Sequence, residues 1–314
     1  MNPEALKGAS LLVREDRRED RQKLTGKPEA RRAEGSLACF FGKGIMGENL
    51  LEIRNLVVRF SGVTAVDRVS MSLERGRVYG LIGTNGAGKS TVVNVVSGDL
   101  KPAEGMILFK DRDVTGKKSH ELARMGIART FQNLRLFQSD TVLGNVITAR
   151  QAAHPYNLLQ TILGTPAFRR KEALIREESE EYLKQMKLES LADLPASALA
   201  YGQQRRLEIA RCLALEPDLL LLDEPAAGMN PQESGQLVEE IQSIRRKRPR
   251  MTILLIEHDM KVVRSFCEYV YVMSQGKVIE EGGPDIITTS KRVISAYMGG
   301  GSFADDQSSA CELR

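Results

Sequence analysis

The sequence predicts an α/β protein built on a parallel sheet, and three observations point there. Two nearly unbroken apolar runs, Leu219 to Leu222 and Thr252 to Ile256, have the length and composition of strands covered on both faces. Helical patterns separate them from each other and from an earlier strand at Val78 to Ile82. That earlier strand runs directly into Gly83-Thr84-Asn85-Gly86-Ala87-Gly88-Lys89-Ser90, a gapless match to G-x-x-x-x-G-K-[ST].

In chain order, residues 1 to 48 alternate charge, as in Arg14-Glu15-Asp16-Arg17-Arg18-Glu19-Asp20-Arg21, with too little apolar surface to offset the entropy of ordering. This charged extension is expected to be disordered. Met46 stands just before the first strand, which fits translation starting there; the intact mass of protein made from its native gene tests this, a chain beginning at Met1 excluding it. Leu51 to Phe60 and Val69 to Leu73 read as strands, with Gly and Arg-Gly turns between the β-rich segments. Ser90 to Val96 supplies the helix after the glycine-rich loop. A helix-rich block follows, where Phe168, Ile175, Tyr182 and Met186 fall on one face and charges fill the rest. Val270 to Met273 and Val278 to Glu281, joined by Ser274-Gln275-Gly276-Lys277, read as a hairpin. Residues 300 to 314 are expected to form a flexible tail.

The composition narrows the function classes. At 314 residues the chain has length for a sizeable core and about two structural units. No apolar run reaches the roughly 18 residues needed to cross a bilayer, so a membrane role is expected to be peripheral. The 45 Lys and Arg against 41 Asp and Glu are interspersed rather than gathered in a stripe, and nucleic acid is not an expected partner. Cysteines at 39, 212, 267 and 311 form no C-x-x-C pair, and with histidines only at 120, 154 and 258 they give no zinc spacing. A reduced, cytoplasmic compartment is the expectation, since the N-terminus lacks the order of a secretory signal.

Three strings carry the chemistry. In the glycine-rich loop, backbone N–H groups and the following helix N-terminus face one anion, and glycine lets the main chain curl round it without Cβ clashes. The expected cradle comprises Asn85, Gly86, Ala87, Gly88, Lys89, Ser90 and Thr91. Lys89 would meet the β- and γ-phosphates as a point charge, and the Ser90 hydroxyl would ligate Mg²⁺. Leu219-Leu220-Leu221-Leu222-Asp223-Glu224-Pro225 delivers two carboxylates at the C-terminal end of a strand, where ligands sit in open α/β sheets. Asp223 is expected to hold Mg²⁺ through water, and Glu224 to orient and deprotonate the water that attacks the γ-phosphate. Thr252 to Ile256 ends in Glu257-His258-Asp259, which places His258 at the same edge as a contact to the γ-phosphate and to Glu224.

Together these strings resemble the nucleotide-binding subunit of ABC transporters, over Leu50 to Gly299. The resemblance implies a P-loop NTPase, RecA-like core with an antiparallel β subdomain and an inserted α-helical subdomain at about 134–212. It further implies that Phe60, 23 residues before Gly83, stacks on adenine, and that Gln132 links the γ-phosphate and the Mg²⁺ water to the transmembrane partner. Leu199-Ala200-Tyr201-Gly202-Gln203-Gln204-Arg205-Arg206 occupies the signature position. There Ala200, Gly202 and Gln203 would contact, in trans, the nucleotide held by a second subunit. The family usually opens this string Leu-Ser-Gly-Gly-Gln; here Ala200 replaces the serine, Tyr201 replaces the first glycine, and no hydroxyl is available to the γ-phosphate. Asn230 stands where an Asp is common.

The runs Gly126 to Phe137, Ala200 to Arg211 and Val293 to Gly299 are similar to the ATP-binding protein of branched-chain amino-acid importers. That branch implies two transmembrane permease subunits, an external solute-binding protein, and a second ATPase that is a paralogue or another copy of this chain. It also implies a peripheral location on the cytoplasmic face of the inner membrane. The alternatives are an ABC ATPase for another cargo, such as urea, amides or an exported lipid, and a soluble non-transport ABC ATPase. The latter would normally carry two cassettes, a zinc insertion or a long coiled coil, and the sequence has none of these.

Overall fold

The computed structural model describes residues 48–132, 134–154 and 165–298. The extension assigned to 1–48 lies outside these except for its last residue, and the tail assigned to 300–314 lies wholly outside. The chain opens with β1 (Asn49–Phe60) and β2 (Val63–Glu74), paired antiparallel through the tight turn at Ser61-Gly62. Both turn residues have positive φ, 44° and 91°, the backbone twist that joins two strands without splaying them. The strand expected at Val69 to Leu73 therefore extends back to Val63. Then come β3 (Val78–Gly83), α1 (Lys89–Val96), β4 (Glu104–Phe109), β5 (Arg112–Asp113), α2 (Ser119–Met125) and β6 (Ile127–Arg129). The helical block holds α3 (Val142–Ala153), α4 (Pro166–Gln185) and α5 (Tyr201–Ala214). The chain returns through β7 (Leu219–Asp223), α6 (Pro231–Lys247), β8 (Thr252–Ile256) and α7 (Met260–Phe266). It closes with the hairpin β9 (Tyr269–Ser274) and β10 (Lys277–Gly282), then α8 (Ile286–Thr289) and α9 (Lys291–Met298).

Two sheets result: an antiparallel one in the order β2-β1-β4-β5, and one in the order β10-β9-β3-β8-β7-β6. In the second, β9, β3, β8, β7 and β6 run parallel and β10 closes the edge antiparallel. Every residue of β3, β7 and β8 is buried, which is why these strands read as unbroken apolar runs. Alternate side chains enter different cores. Leu220, Leu222, Ile253 and Leu255 pack with α5 and α6, whereas Leu219, Leu221, Leu254 and Ile256 pack with α1 and the antiparallel sheet.

Local chemistry sets the helix starts. Thr141 caps α3 by accepting from the Gly144 N–H at 2.9 Å, and Thr165 caps α4 from Phe168, with Pro166 in the first turn. Asn230 begins α6: its side chain accepts from the Glu233 N–H at 2.9 Å while Glu233 accepts from the Asn230 N–H at 3.1 Å. The residue that departs from the common Asp thus serves as a helix cap. Parallel order places β3, β8 and β7 side by side, so the three chemistry-bearing strand ends open along one edge of the sheet.

Candidate active site

The glycine-rich loop is wedged between two other segments. A Cβ on Gly83 would lie 2.2 Å from the Met273 carbonyl oxygen at the end of β9, and one on Gly88 would lie 2.6 Å from the Ala65 carbonyl oxygen in β2. With φ of 150° and 99°, both positions need glycine for conformation as well as for space. Lys89, buried at the first position of α1, donates its ammonium to the carbonyl oxygens of Gly83 at 2.7 Å and Thr84 at 3.0 Å. Burial lowers its pKa, and the negative charges of Glu224 and Asp223 act against that shift. Asn85, Gly86 and Ser90 are exposed, Ala87 is buried, and Thr91 is half-buried. The Ala87 N–H closes the loop on the Thr84 carbonyl oxygen at 3.1 Å, and the loop leads directly into the first turn of α1, whose N–H groups have no partner within the helix.

β7 ends in Asp223, whose Oδ2 accepts from Arg129 Nη2 at 2.8 Å; the two side chains are 4% and 8% exposed. Arg129 spans further, donating to Asn94 Oδ1 at 2.7 Å, Ser97 Oγ at 2.9 Å and Asp99 Oδ2 at 3.0 Å around the end of α1. Thr130 Oγ1 accepts from the Asp223 N–H at 3.1 Å. Asp223 is therefore held from two residues of β6 and its continuation. Glu224 follows with φ 46°, a left-handed conformation uncommon outside glycine, and its N–H donates to the Ile256 carbonyl oxygen at 3.0 Å. The distorted backbone turns this side chain out of the strand, to where its Oε1 lies 3.9 Å from His258 Nδ1.

His258 is 64% exposed and follows β8, the strand between β3 and β7. Beneath it Glu257 is buried, accepting from the N–H groups of Ala226 and His258, each at 3.3 Å. Desolvation raises the Glu257 pKa; the hydrogen bond from Ala226 and the neighbouring His258 partly offset this.

The donor set fits Mg²⁺. Asp223 has one oxygen engaged by Arg129 and the other without a partner among the described residues, and Ser90 is exposed. No cluster of three His, Cys, Asp or Glu able to hold a metal occurs among the described residues. One carboxylate and one hydroxyl completed by phosphate oxygens and water is the way Mg²⁺ is held beside nucleotides, in contrast to an all-protein cage.

The structure brings Lys89, Asp223, Glu224 and His258 to one sheet edge. Phe60, 45% exposed, lies at the end of β1, and Gln132 has an exposed side chain just beyond β6. Ala200, Gly202 and Gln203 lie at the start of α5, with Ala200 as its cap residue. Among the described residues no hydrogen bond or ion pair joins them to residues 83–91. Gln203 caps its own helix, its Oε1 accepting from the Ala200 N–H at 3.0 Å. Sequence reasoning missed Arg129, Glu257 and Arg205. Arg129 lies three residues before Gln132, but nothing local names its partner Asp223, 94 positions away.

Comparison with known proteins gives a consistent picture. The family described as ABC transporter matches residues 66–227. The high-affinity branched-chain amino acid transport ATP-binding protein LivG of Escherichia coli K12 is 43% identical over 254 residues, 81% of this chain and 99% of its own length. BraF of Pseudomonas aeruginosa, of the same description, is 42% identical over the same shares. Among solved structures, the ADP conformation of MJ1267, an ATP-binding cassette of an ABC transporter, aligns with a TM-score of 0.69 at 32% identity, covering 80% of this chain and 99% of that one.

Proposed function

The chain belongs to the ABC transporter family of ATP-binding subunits, and from that premise we propose that it is the ATP-hydrolysing subunit of an importer for branched-chain, hydrophobic amino acids. One observation carries the chemistry: the adjacent ends of β3, β8 and β7 present the Lys89 loop, His258 and the Asp223-Glu224 pair to a common space, with Glu224 and His258 3.9 Å apart. In this reading Lys89 and the N–H groups from Asn85 to Thr91 hold the triphosphate, and Phe60 stacks on adenine. Ser90, with Asp223 and Gln132 acting through water, would hold Mg²⁺, which would supply positive charge against the phosphates. Glu224 takes a proton from water as its oxygen attacks the γ-phosphorus and the bond to ADP breaks; His258 contacts the γ-phosphate and orients Glu224.

No hydrogen bond or ion pair among the described residues joins the signature residues Ala200, Gly202 and Gln203 to the Lys89 loop, which agrees with a two-subunit site in which they meet the partner's nucleotide. Ala200 offers no hydroxyl, so contact there falls to backbone N–H groups and the N-terminus of α5. The partners in this reading are a paralogous ATPase or a second copy, two transmembrane permeases and, indirectly, an external solute-binding protein. No helix among the described residues is long and apolar enough to cross a membrane; the peripheral place on the cytoplasmic face in this reading rests on the likeness to transport ATP-binding proteins.

The test is reconstitution of the full-length chain with permease subunits and a solute-binding protein of a branched-chain amino-acid importer. Leucine-loaded binding protein is expected to stimulate ATP hydrolysis and drive labelled leucine into vesicles. Stimulation by urea, an amide or lipid in place of leucine overturns the cargo; hydrolysis indifferent to the permeases overturns the transport reading.

A further inference from the structure

Arg205 lies in α5 within the signature string, one turn after Tyr201, and is 2% exposed. A buried guanidinium is tolerated only when its donors are matched, and the partners here have a pattern. Nη1 donates to the Phe131 carbonyl oxygen at 2.7 Å and to Glu208 Oε2 at 3.1 Å, and Nη2 donates to the Gln132 carbonyl oxygen at 2.7 Å. Glu208, 4% exposed, closes the ring by accepting from the Phe131 N–H at 2.8 Å. The clamp therefore grips backbone, at the two consecutive residues that end in Gln132. The Gln132 side chain is exposed and makes no hydrogen bond to another described residue, so among these its position follows from that of its main chain.

The clamp extends the other way through Tyr201, the residue that replaces a signature glycine. Arg205 Nε donates to the Tyr201 hydroxyl oxygen at 3.2 Å, and the guanidinium lies 5.4 Å from the ring centre. The ring also packs on Gly228 in the loop after Glu224, where φ is 78° and a Cβ would lie 3.0 Å from the ring. One guanidinium thus ties the Gln132 loop to the signature turn, and one ring ties that turn to the loop following Glu224.

We propose that Arg205 is a positioning residue for hydrolysis: with Glu208 and Tyr201 it makes the Gln132 backbone and the signature turn move as one body. This rests on the roles given above to Gln132 and the signature. A signature turn that engages the partner's nucleotide then carries Gln132 of its own subunit into place, and Tyr201 explains how a large ring is accommodated at a position usually held by glycine. The fork is required, because a lysine ammonium keeps the charge opposite Glu208 yet does not reach two carbonyls and a hydroxyl together.

The assembled transporter tests this through three variants, with MgATP binding by the full-length chain measured alongside. Arg205→Lys lowers kcat roughly 10- to 100-fold, the scale of a displaced catalytic group, keeps nucleotide affinity within about twofold, and adds nothing in a Gln132→Ala background. Tyr201→Phe keeps the ring on Gly228, removes one hydrogen bond and lowers kcat roughly fivefold; it carries the test if Arg205→Lys does not fold. Wild-type hydrolysis by Arg205→Lys, or a loss that multiplies onto that of Gln132→Ala, overturns the inference alone. Unchanged kcat in Tyr201→Phe does so where Arg205→Lys is unfolded. Wild-type hydrolysis by Gln132→Ala overturns the inference together with the role of Gln132.

Discussion

Glu224→Gln is expected to reduce ATP hydrolysis by the assembled complex about 10²- to 10⁴-fold, while MgATP still binds and the subunit pair is held together longer. A positioned general base contributes on that scale, about 3 to 5 kcal/mol of barrier. The amide is isosteric with the carboxylate and leaves untouched the backbone that holds this position, with φ of 46° and the N–H on the Ile256 carbonyl. What disappears is the capacity to accept a proton from water. Single-turnover hydrolysis and size-exclusion chromatography in MgATP measure both effects. A variant that hydrolyses at the wild-type rate removes Glu224 from the role of base.

Asp223→Asn is expected to act on stability as well as chemistry. The Asp223 and Arg129 side chains are 4% and 8% exposed, so neutralising one leaves the other buried beside a weaker partner. Removing one member of such a pair costs about 3 kcal/mol, the low end of the usual range because Asp99 still pairs with Arg129. For a unit of this size that corresponds to a melting temperature lower by about 6 to 12 °C without nucleotide. Adding Arg129→Met removes the stranded charge and should recover part of the loss. Hydrolysis is expected to disappear in Asp223→Asn while ATP binding in the presence of a chelator persists. A melting shift below about 2 °C means that the pair does little for the fold.

What the sequence revealed, and what it hid, follows from how local each signal is. The glycine-rich loop was legible because its spacing and the flanking strand and helix are contiguous. The reasons Gly83 and Gly88 must be glycine come from Met273 and Ala65, distant in the chain. β7 and β8 announced themselves because both faces are buried, whereas β6, three residues long, is too short for a periodicity to register. α3 escaped notice for a different reason: Asn145 and Arg150 interrupt its buried face. Asn145 is spent on the Phe137 and Thr141 carbonyls, and Arg150 pairs with Glu178 and the Ala214 carbonyl. Of the candidate site, Lys89, Ser90, Asp223, Glu224 and His258 could be named from their strings. The tether on Asp223 and the carboxylate beneath His258 depend on strand order, which no single string encodes.

The alternation of side chains along β3, β7 and β8 has an evolutionary corollary. The sheet acts as a septum, and parity decides which chamber senses a substitution: Leu220, Leu222, Ile253 and Leu255 are felt by α5 and α6, while Leu219, Leu221, Leu254 and Ile256 are felt by α1 and the antiparallel sheet. In an evolving lineage, re-packing against α5 or α6 is therefore expected to draw on one parity of these positions, and re-packing against α1 or the antiparallel sheet on the other.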